Sequence, residues 1–145
     1  MSERIETFTG LISKIGRSIR KIKNREMYAY SLKGPHAFCI YYLFTHGSLT
    51  ATELSDLCEE DKATISRAID NLEENGFIIR SERAAKRYKA PIFLTEKGEA
   101  VGAHISERVA FVLSEAGEGL SDEERAVFYK ALGAISKNLE KIANN

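Results

Sequence analysis

Between Thr50 and Gly76 the chain has room for two short helices and leaves only Glu59 and Glu60 to join them, which constrains the fold more than any other feature. Thr50-Ala-Thr-Glu53 is a capping box, in which a hydroxyl and a carboxylate three residues apart satisfy each other's backbone N–H groups. The helix it opens points Leu54, Leu57 and Cys58 inward, and Glu59-Glu60 then turns the chain into Asp61. Asp61 is an N-cap by type, while Gly76 marks a stop because glycine tolerates the left-handed backbone just past a helix end. Inside the second helix Ile65, Ile69 and Leu72 recur at i, i+4 and i+7, with Ala68 widening the stripe, so one side must be buried.

The other side of that helix is chemically different. Ala63, Ser66, Arg67 and Asp70 lie opposite the apolar stripe, flanked by Thr64 and Asn71, and most of them fall in the N-terminal half. In a helix-turn-helix, that half enters the major groove of DNA. Small hydroxyls and a methyl group allow close approach to base edges, and Arg67 can fork onto a guanine or a phosphate, whereas Glu73 and Glu74 sit toward the end that points away. An ordinary amphipathic surface helix would show the same wheel. The preceding helix and tight turn favour the DNA reading, because the first helix of such a pair crosses the DNA backbone. Glu59 and Glu60 oppose it, since carboxylates near a phosphate are repelled unless the turn points away.

The bulk of the chain fits one soluble domain: 145 residues, 43% hydrophobic and 29% charged. It contains no run of about 18 apolar residues and no basic-then-apolar leader, so neither a membrane span nor a signal peptide is expected, and the cytoplasm is the expected location. A formal net charge of +0 argues against a nucleic-acid partner until its distribution is considered. Arg17, Arg20, Lys21, Lys23 and Arg25 cluster early, Arg80, Arg83, Lys86, Arg87 and Lys89 cluster later, and Glu115, Glu118, Asp122, Glu123 and Glu124 gather near the end. A molecule polarised in this way can bind DNA on one face.

Upstream, Ile5, Phe8, Ile12, Ile15, Ile19 and Ile22 follow a 3-4-3-4-3 spacing, the narrow seam of a helix that packs on another helix from a partner chain or from its own. Gly34-Pro35 breaks that helix, and His36 to His46 predicts a second one, apolar nearly all round and therefore buried on most sides. Its tyrosines Tyr41 and Tyr42, with Tyr30 and His36 before them, could line a pocket for an aromatic ligand or simply form core.

Downstream, residues 77–83 and 90–95 predict a β-hairpin with a charged tip, and Pro91 requires a strand start or an edge. Lys86, Arg87 and Lys89 at that tip suit phosphate or minor-groove contacts better than any fold requirement, the alternative being a solvated loop. Thr95 caps a helix with a Val101, Ile105, Val109, Val112, Ala116 stripe. Ser121-Asp-Glu-Glu124 opens a last one with Phe128, Ala131, Ile135, Leu139 and Ile142.

Three stretches together resemble the MarR family of prokaryotic transcriptional regulators: Leu49-Thr-Ala-Thr-Glu-Leu54; Lys62-Ala-Thr-Ile-Ser-Arg67 running on to Leu72-Glu-Glu-Asn-Gly-Phe77; and Leu94-Thr-Glu-Lys-Gly98. The resemblance covers essentially the whole chain. It implies a mainly α fold with a two-stranded β-wing. A winged helix-turn-helix over about 34–98 would lie within a single domain of 1–145, with dimerisation helices over about 3–30 and 98–143. It also implies an obligate homodimer on palindromic operator DNA, acting as a repressor, with contacts at Lys62, Thr64, Ser66 and Arg67 and at the wing tip. Adding the residue-level reading, the candidate DNA-contacting set is Lys62, Ala63, Thr64, Ser66, Arg67, Asn71, Arg83, Lys86, Arg87 and Lys89. The wing departs from the family pattern: Ala84-Ala-Lys-Arg-Tyr-Lys89 lacks the usual aspartate.

Many such regulators respond to small phenolic compounds, some to cysteine oxidation and a few to zinc. Here His36, His46 and His104 lack ligand spacing, so no metal and no cofactor is expected. Cys39 falls in the apolar second helix, where burial makes a thiol inert. That leaves a small-molecule effector at Tyr30, His36, Tyr41 and Tyr42, or none. The rival readings are a winged-helix module for protein contact and a redox-responsive regulator working through Cys39. An enzyme is not expected: the sequence has no phosphate loop, dinucleotide glycine fingerprint, HExxH or GxSxG.

Overall fold

The computed structural model describes residues 2–28, 32, 34–81 and 89–145, with side chains from Thr7 onward except Met27. Cap signals and apolar stripes set its elements. Thr50 opens α3 (Ala51–Cys58) with both halves of the capping box, Oγ1 accepting from Glu53 N at 3.2 Å and Glu53 Oε1 accepting from Thr50 N at 3.2 Å. Asp61 opens α4 (Lys62–Glu74), its Oδ1 accepting from Thr64 N at 2.7 Å. The α4 stripe, Ile65, Ala68, Ile69 and Leu72, is buried. It meets Ala37, Cys39, Ile40 and Leu43 of α2 (Gly34–His46) and Leu54 of α3 in one core, which Ile78, Ile92 and Ile105 complete. Each large aliphatic side chain buried there contributes about 1.5–3 kcal/mol, so this core fixes how α3 and α4 sit relative to one another.

The end of α4 is a Schellman motif. Gly76 takes φ +80°, Phe77 N donates to Leu72 O at 2.9 Å, and Gly76 N donates to Glu73 O at 3.1 Å. The chain then enters β2 (Ile78–Arg80), which pairs antiparallel with β3 (Ile92–Leu94) through Ile78↔Leu94, Ile79↔Phe93 and Arg80↔Ile92. The expected hairpin strands are present, and a third, two-residue strand, β1 (Ser48–Leu49), pairs with the far side of β3, giving the order β1-β3-β2. β3 is therefore the central strand, and Pro91 is tolerated because it precedes β3, where its carbonyl still accepts from Ser81 N at 3.1 Å. Ile78, Ile92 and Leu94 face the core, while Ile79 and Phe93 face out.

Glu59, between α3 and α4, adopts φ 55°, the only positive φ at a non-glycine position among the described residues. Its N–H donates to Asp56 O at 3.3 Å and that of Glu60 to Ser55 O at 3.2 Å, while Ser55 Oγ donates to Glu60 O at 2.6 Å. These bonds hold a left-handed residue that lacks glycine's freedom. Glu59→Gly should therefore stabilise the fold by about 0.5–1 kcal/mol, the relief of left-handed strain exceeding the entropy added to the unfolded chain. Urea denaturation checks this, and a loss of stability would show that the Glu59 side chain contributes more than its backbone strain costs.

The chain divides into two compact units, residues 1–108 and 109–145. In the first, α1 (Ser2–Tyr28) is tied to α5 (Glu96–Ala116) by a bidentate pair, with Arg108 Nε to Glu26 Oε2 at 3.0 Å and Nη2 to Oε1 at 2.8 Å. The guanidinium holds the Glu26 carboxyl below the usual range. Thr95 starts α5: its Oγ1 donates to Gly76 O at 2.6 Å and accepts from Gly98 N at 3.1 Å. In the second unit the Ser121 capping box opens α6 (Asp122–Ala143), and Arg125 Nη2 donates to Gly117 O at 2.9 Å. The terminal stripes stay largely uncovered within one chain. On α1, Ile12, Ile15 and Ile19 are 43, 49 and 44% exposed, and on α6 Phe128, Ile135, Leu139 and Ile142 are exposed.

Candidate nucleic-acid interface

Burying the α4 stripe leaves the opposite face free for contact. Lys62, Ala63, Ser66 and Arg67 are exposed in the first half of the helix, and Thr64 is half-buried because its N–H serves the Asp61 cap. That N–H holds the exposed Asp61 carboxyl below the ordinary carboxylate range, so the cap stays charged near neutral pH. Arg67 Nη2 reaches back along the helix to Thr64 Oγ1 at 3.4 Å. Asn71 lies further along, its backbone carbonyl and Oδ1 accepting from Asn75 Nδ2 at 2.7 and 3.3 Å, which engages it with the helix end.

Lys62 and Ser66 share a concavity of about 460 Å³ with Ala51, Thr52, Asp70 and Arg80. Its floor joins the start of α3, the face of α4 and the wing sheet. Arg80, the last residue of β2, spans the corner, with Nη2 on Asp70 Oδ1 at 2.6 Å and Nε within 3.3 Å of Glu73 Oε2. The latter approach is an ion pair without hydrogen-bond alignment, since Nε has no hydrogen-bond partner. With an Arg80 side chain only 15% exposed, this brace is better shielded than a surface pair, whose worth is about 0–1 kcal/mol. It ties the wing root to the outer face of α4. The sequence reading placed Asp70 on that face without a partner, and nothing local marks Arg80 as its counterpart ten residues on.

At the wing, Lys89 is described and exposed, while Arg83, Lys86 and Arg87 lie outside the described residues. Among the effector candidates, Tyr42 lines a cavity of about 470 Å³ with Ile19, Arg20, Lys23, Phe38 and Cys58, and burial pushes its hydroxyl up from the ordinary tyrosine value. Tyr41 and His36 do not line it. Tyr41 stacks edge-on against Tyr42, with centroids 5.4 Å apart, and Tyr30 lies outside the described residues. Cys39 is buried as expected but is not isolated, since its thiol hydrogen-bonds that of Cys58. Among the described residues, no helix is long and apolar enough to cross a membrane.

The sequence model of the MarR family matches residues 33–85. The chain is similar to an uncharacterized HTH-type transcriptional regulator of Bacillus subtilis, YfiV, at 30% identity over 73% of this chain and 66% of that protein. It is similar to another from Bacillus cereus at 32% identity over 67% of this chain and 65% of that protein, so the chain spans just under two thirds of the length of these relatives. A MarR family regulator from Listeria monocytogenes, solved in complex with a 26mer DNA, superimposes with a TM-score of 0.77 at 26% identity, covering 88% of this chain and 85% of that one. The transcriptional regulator SlyA does so with a TM-score of 0.75 at 29% identity, covering 92% and 94%. The matched region contains the capped α3–α4 pair and the wing root, and the structural likeness runs through the helices on either side. On both grounds the chain belongs to the MarR family of transcriptional regulators, which is not an enzyme family.

Proposed function

We propose that the protein is a cytoplasmic, homodimeric repressor that occupies palindromic double-stranded DNA and is released by a small, phenolic-type ligand. The observation that carries the DNA part is the exposed first half of α4, where Lys62, Ala63, Ser66 and Arg67 are presented beside a wing root braced by Arg80. The 26mer DNA in the Listeria relative supports it. The repressor role is supported by similarity to the transcriptional repressor YetL of Bacillus subtilis, at 33% identity over 63% of this chain and 54% of that protein. The cavity at Tyr42, with Arg20 and Lys23 at its wall, suits an aromatic ligand carrying an anionic group. Such a ligand acts only if it prefers one spacing of the two recognition helices, since coupling requires differential binding. The half-sites are expected about 34–36 Å apart, one helical turn.

Mobility shift on the DNA upstream of the protein's own gene, repeated with candidate phenolics, tests this reading; absence of any sequence-preferring complex would overturn it. Base contacts specify and phosphate contacts position, so two variants separate the roles. Arg67→Ala should cost about 1–3 kcal/mol on the preferred operator, much less on random DNA, and relax the choice at one base position. Lys89→Ala should weaken binding to all sequences alike and reduce the log-affinity versus log-salt slope by about 0.9. Titrations of both variants on operator and random duplexes at several salt concentrations check the division. Equal loss on both DNAs for Arg67→Ala, with no slope change for Lys89→Ala, would sink it.

A further inference from the structure

Cys39 and Cys58 are nineteen residues apart in sequence and form no recognisable motif, yet the packing of α2 on α3 brings their thiols into hydrogen-bond contact. The two are not equivalent. Cys39 is fully buried, whereas Cys58 is only partly buried and opens onto the cavity beside Tyr42, through which a small oxidant can reach it. Cys58 is also the last residue of α3, followed directly by the left-handed Glu59 and the turn into the α4 cap.

We propose that Cys58 and Cys39 form a hydroperoxide-responsive thiol pair, Cys58 as the attacking group and Cys39 as the resolving one, whose intrachain disulfide distorts the α3–α4 turn. The charge environment supports the division. Hydrogen-bond donation from Cys39 lowers the Cys58 thiol below its ordinary value and Lys23 helps, against burial and Glu60. The same hydrogen bond, reinforced by burial, holds Cys39 protonated. In the first step the Cys58 thiolate attacks hydrogen peroxide: an S–O bond forms, the O–O bond breaks, and hydroxide leaves and takes up a proton to become water. In the second, the Cys39 sulfur attacks the sulfenic sulfur: the S–S bond forms, the S–O bond breaks, and the Cys39 proton departs with the hydroxyl as a second water. Two thiols are oxidised by two electrons and one peroxide is reduced. Closing the sulfurs to about 2.05 Å pulls the end of α3 toward α2, and the turn that seats Asp61 must follow. The bond itself does not depend on the DNA reading; its effect on binding rests on it.

The test treats the full-length protein with hydrogen peroxide, blocks remaining thiols, and maps peptides without reduction. The wild-type chain is expected to lose two free thiols and to yield one peptide pair joining Cys39 to Cys58 within a single chain. Cys58→Ser should leave Cys39 reduced, and Cys39→Ser should carry oxygen on Cys58 with no bond. Bonds between chains, or oxidation of Cys58→Ser as fast as wild type, would overturn the proposal. Should a variant fail to fold, the wild-type peptide map decides alone. On duplex DNA the oxidised wild type should bind about tenfold more weakly than the reduced protein, reversibly with dithiothreitol. Equal affinity in both states overturns the coupling to the turn. An intrachain bond in a protein that binds no duplex in either state upholds the pair and sinks the DNA reading.

Discussion

Gly98→Ala should destabilise the protein by about 3 kcal/mol or more, enough to leave much of it unfolded at modest urea concentrations. A Cβ at Gly98 would fall inside the radius of the Phe77 carbonyl oxygen and press on Leu94 Cδ2 at 3.0 Å. The obstacle is backbone on one side and a β3 core residue on the other, so neither a rotamer change nor a small side-chain shift relieves it. Two further bonds fix the position: Gly98 N donates to Thr95 Oγ1 at 3.1 Å, and Thr95 N donates to Phe77 O at 3.0 Å. In an open helix alanine would gain up to about 1 kcal/mol over glycine, so a destabilised variant shows that the close approach dominates propensity. Urea denaturation measures the difference, and a variant as stable as wild type would mean that the start of α5 can move away from β2 and β3.

The second large effect concerns assembly. Replacing Ile12 and Ile15 by glutamate should convert the proposed homodimer to monomers. Each isoleucine, about half exposed within one chain, contributes about 1.5–3 kcal/mol once covered. The four lost from two chains amount to roughly 6 kcal/mol or more, a weakening of about four powers of ten before the cost of burying carboxylates is added. The hydrogen-bonded pair from Glu26 to Arg108 is left intact, so α1 should stay on α5 and helix content should change little. Light scattering gives the mass, and a dimer that survives the double substitution would remove α1 from the interface.

What the sequence disclosed and what it hid differ in range. Thr50, Asp61 and Ser121 were legible as caps because a cap and its partner lie three residues apart, and each is a cap in the structure. Gly76 was legible for the same reason. The stripe through Ile65, Ala68, Ile69 and Leu72 was legible because a helix buried on one side must repeat its apolar residues. The α1 and α6 stripes were equally visible as patterns, but nothing in them says which surface they meet. β1 escaped because two residues cannot show a period. The left-handed Glu59 escaped because its conformation is imposed by the bonds around it and its residue type gives no hint. The contact of Cys39 with Cys58 and the brace from Arg80 to Asp70 and Glu73 depend on how finished elements pack, and no local spacing encodes that. In the candidate interface, the face of α4 was therefore readable residue by residue, whereas its attachment to the wing was not.

That attachment bears on how fast and how selectively the protein can search a duplex. With one guanidinium gripping two carboxylates across the corner, the wing root and the reading helix form a single stiff edge, and the ordering of the root occurs when the chain folds and not when it docks. The same grip keeps Asp70 and Glu73 from meeting the phosphates as unneutralised charge, so the edge can slide along DNA without being pushed off by its own acids. Altering the side chains at 63, 66 and 67 could then retune the preferred sequence while the frame that aims them stays unchanged.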